Sequence, residues 1–201
     1  MKRVMRPTTL RRLNQLHQSI ENCVVCDVNR GFKNYPFRKS YRWIPERIKI
    51  MFIAEDPPPS GKYIYDGTNE KFTLGILKLM KEAGLISTMR LEEFTRNGLY
   101  LTDVVKCPKG KVNHCVRFLV EEIKILNPDF ICTLGKKALS AFLKQKDFKL
   151  SDYAGRFIPT NEIKPELNFG IPIFSCYFPL KYPVKMSIKG KHLKKLAHRV
   201  M

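Results

Sequence analysis

Six cysteines carry the first chemical signal in this 201-residue chain, and they divide by context. Cys132 stands inside Phe130-Ile131-Cys132-Thr133-Leu134 and Cys176 inside Ile173-Phe174-Ser175-Cys176-Tyr177, where a thiol acts as a small core hydrophobe in a strand. Cys23, Cys26, Cys107 and Cys115 stand in polar or turn surroundings. Four thiolates, two of them as a local Cys-x-x-Cys pair, suit zinc or an iron–sulfur cluster better than a disulfide framework in a chain of this kind. His114, beside Cys115, is a candidate substitute or supporting ligand to the same group. The second signal is charge. Lys and Arg total 37 against 18 Asp and Glu, a formal net charge of +19. Such a surface attracts polyanions, and nucleic acid is the expected partner.

The remaining candidates follow apolar runs. Ala54-Glu55-Asp56-Pro57 with Pro58, Pro59, Ser60 and Gly61 comes after the first run, and Thr102-Asp103 with Lys106-Cys107-Pro108 after the second. Gly135-Lys136-Lys137, a candidate phosphate turn, follows the third, and Phe178-Pro179-Leu180-Lys181-Tyr182-Pro183 the fourth.

The elements that must position these residues alternate. Apolar runs at 48–53, 99–105, 130–134 and 171–177 read as strands. Helical spacing reads as helices over 8–21, 70–84, 112–126, 135–143 and 189–200. Thr8 or Thr9 is the expected cap of the first, Gly84 the stop of the second, and Asn127-Pro128 the stop of the third. Residues 148–170 are weakly patterned and read as a long loop or a small hairpin. Because the strands are continuously apolar rather than alternating, the expected fold is α/β, a three-layer α/β/α sandwich around a mainly parallel sheet of about four strands. One domain is expected over residues 1–201, with a basic N-terminal helix and the first cysteine pair (1–47) packed on its core. In such sheets ligands bind at the carboxyl ends of the strands, so the four loops share one edge. No apolar run approaches the roughly 20 residues of a membrane span, and no apolar stretch follows the basic start to make a secretory signal. A cytoplasmic, non-membrane, monomeric protein is the expectation.

The order of these motifs resembles the uracil-DNA glycosylase superfamily, and its iron–sulfur family 4 branch in particular. The resemblance lies in Cys-x-x-Cys, a strand, an acidic-proline loop, a strand ending in LTDVVKCP, a cysteine opening a helix, and ILNPDFICTLGKKAL. It is strongest over 99–139, supported by 22–27 and 48–61, and so runs through most of the chain. It implies a [4Fe–4S] cluster on Cys23, Cys26, Cys107 and Cys115, structural in role, with zinc as the alternative. It also implies that Asp56, or else Glu55, stabilises an oxocarbenium-like sugar and orients water, after the target base has left the helical stack for a pocket. Tyr65 or Phe72 would be the stacking platform, and Asp103 stands where the family has its base-reading asparagine.

Two positions depart from the pattern. An asparagine both donates and accepts toward uracil, whereas an ionised carboxylate at Asp103 only accepts. The family's His-Pro-Ser loop reads Phe178-Pro179-Leu180 here, so no histidine stands ready to stabilise the departing base, and His192 belongs to the last basic helix. Leu180, Tyr182 and Met186 are candidates for a wedge that fills the vacated stack. Lys181, Lys185, Lys189 and Lys191 are candidates to hold phosphates. The resemblance implies a DNA repair glycosylase. The alternative is a glycosylase-fold protein that binds nucleic acid without cleaving a base.

Overall fold

The computed structural model describes residues 7–26, 43–57, 64–66, 71–107, 110–180 and 184–200. Five strands form one sheet: β1 (Ile50–Ala54), β2 (Leu99–Asp103), β3 (Phe130–Leu134), β4 (Arg156–Phe157) and β5 (Ile173–Cys176), in the order β2-β1-β3-β5-β4. The four longer strands run parallel. β1 pairs with β2 so that Ala54 faces Asp103, and with β3 so that Ile53 faces Thr133. β3 pairs with β5 so that Leu134 faces Cys176. The strand ends are therefore nearly level, and the described starts of the four loops that follow them share one edge.

Every residue of β1, β2 and β5 is buried, and only Phe130 of β3 is partly exposed. Strands this apolar need cover on both faces, which is the physical content of a three-layer sandwich. The cover comes from α1 (Pro7–Glu21), α2 (Lys71–Glu82), α3 (Leu91–Arg96), α4 (Val112–Leu126), α5 (Lys136–Phe142), α6 (Leu150–Tyr153) and α7 (Met186–Val200). α2 packs against α7, and α1 against α4. The contact of α1 with α4 is a satellite apolar cluster of Leu16, Ile20 and Phe118, bordered by Cys23. Cys132 and Cys176 are fully buried in their strands, as core residues.

Three local differences from the sequence reading have physical causes. The first helix begins at Pro7, a favoured first helical residue, so Thr8 and Thr9 lie in its first turn rather than capping it. α7 starts at Met186, a turn before the expected Lys189. Residues 148–170 hold a short helix and a fifth strand: Arg156 and Phe157 pair antiparallel with Ser175 and Phe174. Two residues carry no readable period, so tertiary pairing alone makes them a strand. The helix stops at Gly84, with φ of +76°, and at Asn127, with φ of 42° and Pro128 behind it, are as expected.

Candidate active site and cysteine group

The sheet edge brings the acidic loop and the end of β2 side by side. Val104 N–H donates to the Ala54 carbonyl at 3.0 Å and Val105 N–H to the Glu55 carbonyl at 2.9 Å, extending the β1–β2 pairing past the strand ends. Glu55 and Asp56 are half-buried, and the Glu55 carboxylate pairs with the Lys137 ammonium of α5. That hydrogen bond, with the fields of Glu55 and Asp56, raises the pKa of Lys137. Lys137 is 66% exposed, so the pair orients side chains more than it stabilises the fold. The phosphate-turn candidate at 135–137 is thereby engaged with the acidic loop.

Asp103 closes β2 and is 1% exposed. Below it lies a polar network that the sequence reading missed. The Lys106 ammonium donates to Thr102 Oγ1 at 3.0 Å, to the Asp103 carbonyl at 2.6 Å, and to Glu122 Oε2 on α4. Glu122 also accepts from the Tyr100 hydroxyl at 2.9 Å and from Thr102 Oγ1. The side chains of Lys106 and Glu122 are 0% and 2% exposed. A buried ion pair persists only when its remaining protons and lone pairs are bonded, and all three ammonium protons have acceptors here. The available signals were a lysine between apolar Val105 and Cys107, and a glutamate on the apolar face of a helix.

The two platform candidates separate. Tyr65 is fully buried. Its hydroxyl donates to the Leu101 carbonyl at 3.0 Å and accepts the Leu101 N–H at 2.6 Å, and its ring stacks on Tyr100 with centroids 6.0 Å apart. Burial pushes its pKa well above the ordinary tyrosine value. It braces β2 and offers no open ring face. Phe72, half-buried on α2, stacks at 5.7 Å and 25° on Phe178, which follows β5. Phe178 in turn lies on Gly135: a Cβ there would meet Phe178 Cβ at 3.1 Å, and the φ of +93° also favours glycine.

Leu180 is 47% exposed, one of the exposed large apolar side chains among the described residues. It rests on Gly75 of α2, where a Cβ would come within 2.6 Å of Leu180 Cδ2. Lys181 and Tyr182 lie outside the described residues. Lys185 and Lys191 are exposed, as phosphate contacts require. Lys189 is not: it is 2% exposed and donates to the Pro179 carbonyl at 3.1 Å, bracing the 178–180 loop from beneath. Desolvation lowers its pKa. His192 of α7 stacks at 5.7 Å on Tyr177, which follows β5, and burial lowers its pKa.

The four polar cysteines form a group that draws together α1's end, the β2 loop and α4. All are free thiols, Cys115 buried and the others half-buried. The Cys107 thiol is pushed up to about 11, first by burial and then by the charges of Cys115, Cys23 and Cys26. Cys115 is likewise raised by burial, against a backbone N–H donated by Lys106. Lys111 N–H donates to Cys26 Sγ at 3.5 Å, and the Arg117 guanidinium to Cys23 Sγ at 3.7 Å. Among the described residues, no three His, Cys, Asp or Glu side chains converge as they would on a single metal ion. His114 is exposed.

A model of the uracil DNA glycosylase superfamily matches residues 41–198. The chain is 26% identical over 198 residues to the type-4 uracil-DNA glycosylase of Pyrobaculum aerophilum, covering 92% of this chain and 91% of that protein. It is 31% identical over 117 residues to the type-4 uracil-DNA glycosylase of Thermotoga maritima, covering 53% and 55%.

Proposed function

The chain belongs to the uracil DNA glycosylase superfamily, and from that premise we propose that it is a DNA repair glycosylase that hydrolyses the N-glycosidic bond of a flipped, deaminated base, uracil or a related lesion. The observation that supports the reading is the register of Ala54 against Asp103 at the strand-end edge, which sets Glu55 and Asp56 beside Asp103. Asp56 is the carboxylate that stabilises positive charge on the sugar and orients water, with Glu55 held by Lys137 next to it. The water oxygen bonds to C1′ as the C1′–N bond breaks. The electron pair of that bond leaves with the base, and the water proton passes through the carboxylate to solvent. Asp103 faces the base edge. Phe72 is the stacking ring, because it is half-buried whereas Tyr65 is fully buried with its hydroxyl bound to Leu101. Phe178 extends the stack, Leu180 is the wedge, and Lys181, Tyr182 and Lys185 approach the DNA backbone. The charge of +19 supports DNA as the partner. Among the described residues no helix is long and apolar enough to cross a membrane. A monomer in the cytoplasm completes the reading.

The donor set fits a [4Fe–4S] cluster on Cys23, Cys26, Cys107 and Cys115. Four thiols lie within reach of one another's fields, and three of them receive N–H···S bonds, the kind that stabilise cluster thiolates. Four thiolates are the usual ligand set of such a cluster, with zinc as the alternative. The bound group supplies a structural staple joining the N-terminal helix to the β2 loop. Iron and sulfide analysis of anaerobically purified protein tests this, with stoichiometric zinc and no iron as the opposing result.

The experiment on function incubates the protein with oligonucleotides carrying uracil, hypoxanthine or xanthine and measures abasic sites. Release of one base, reduced about a hundredfold or more in Asp56→Asn with DNA affinity retained, is the expected result. Phe178 at the histidine position favours one other reading, a DNA-binding protein without base release. Salt-sensitive binding with no product from any of these oligonucleotides would establish it.

A further inference from the structure

We propose that Lys106 is a positioning residue that fixes the base-reading end of β2 and couples it to the cysteine group, a role that rests on the glycosylase reading above. Its two ends act in different directions. The ammonium binds the Asp103 carbonyl, Thr102 Oγ1 and the Glu122 carboxylate. The backbone N–H of the same residue donates to Cys115. Lys106 is followed directly by Cys107, and Val104 and Val105 hydrogen-bond to the end of β1. Residues 103–107 therefore touch the acidic loop, the base-reading position, α4 and two of the four cysteines within a single turn of chain.

The chemistry explains the choice of residue. Beyond a strand end, carbonyls lose their sheet partners, and a buried carbonyl without a donor is costly. A neutral donor would satisfy one such acceptor. An ammonium satisfies three, and its charge is held by a carboxylate anchored on the neighbouring helix through Tyr100 and Thr102. Asp103 is thus seated by contacts that involve neither its own side chain nor the substrate. Any displacement of α4, which carries Cys115, passes to Asp103 through Glu122 and Lys106.

The test uses the full-length protein and the double variant Lys106→Met/Glu122→Gln, which removes both charges and leaves no ion buried alone. Three quantities are read: amide hydrogen exchange at 103–107, turnover against KM on the base that the wild type releases, and cluster iron content. The expected result is exchange at least tenfold faster at 103–107 with β3 exchange unchanged. Turnover falls about tenfold, KM changes less than threefold, and iron is more easily lost to a chelator. Native exchange together with native turnover overturns the proposal. If the double variant fails to fold, Glu122→Gln is read in the same way, and the same pair of native results overturns it. If the wild type releases no base, the glycosylase reading fails, while the exchange and iron measurements still decide whether Lys106 couples the two regions.

Discussion

The end of β2 and the end of β5 lie on the same edge of the sheet, with β1 and β3 between them, and they are built from opposite materials. At β2, Tyr100, Thr102, Lys106 and Glu122 form a buried network in which the ammonium protons and the carboxylate oxygens are bonded. At β5, Phe178 stacks on Phe72 and lies on Gly135, while Leu180 projects at 47% exposure from a seat on Gly75. Directional bonds in low dielectric admit few alternative geometries. Ring stacking and aliphatic contact tolerate sliding. Under the proposed function, the first property suits an edge that reads the base, and the second a surface that closes on an emptied base stack. Lys189 shows where the two styles meet: a buried lysine again, here donating to the Pro179 carbonyl of the apolar loop.

Single substitutions break this contrast to different degrees. Lys106→Met leaves the Glu122 carboxylate buried without its cation, and a loss of about 3–5 kcal/mol in unfolding free energy is expected. Urea denaturation checks this, and a loss below ~1 kcal/mol would mean that water reaches Glu122. Phe178→His puts a donor at the β5 end. Because a missing donor costs on the order of a hundredfold in such sites, release of the damaged base is expected to rise about tenfold or more, with little change in thermal midpoint. Unchanged release would remove the β5 end from contact with the departing base. Lys185→Ala is the mildest: binding weakens uniformly across sequences and the salt slope of log K falls by about one, as fluorescence titration at several salt concentrations would read.

Much of this was legible along the chain. Four strands and α4 announce themselves because continuous apolar runs and a 3.6-residue period are properties of neighbouring residues. The sorting of six cysteines into two core and four polar ones follows from the same local context. The acidic-proline loop and the LTDVVKCP segment carry the family resemblance because their spacing is local. Other features were out of reach for a single reason: they depend on residues distant in sequence. Glu55 meets Lys137 across 82 positions, and Lys106 meets Glu122 across a loop and part of a helix. The aromatic choice was likewise undecidable from sequence. Nothing local separates Tyr65 from Phe72, and only the fold buries Tyr65, stacking its ring on Tyr100 and binding its hydroxyl to Leu101. Lys189 belongs to a basic run in which every lysine reads as a phosphate contact, until packing of α7 turns one of them inward.

By itself, then, the sequence determined the parallel α/β core, the edge on which the loops gather, the cysteine set and the family. Tertiary structure decided which charged groups are buried and paired, which aromatic ring is open, and where a two-residue strand completes the sheet. The division follows range: hydrophobic periodicity and motif spacing act within a few residues, while desolvation and ion pairing are set by whichever distant segment the fold packs alongside.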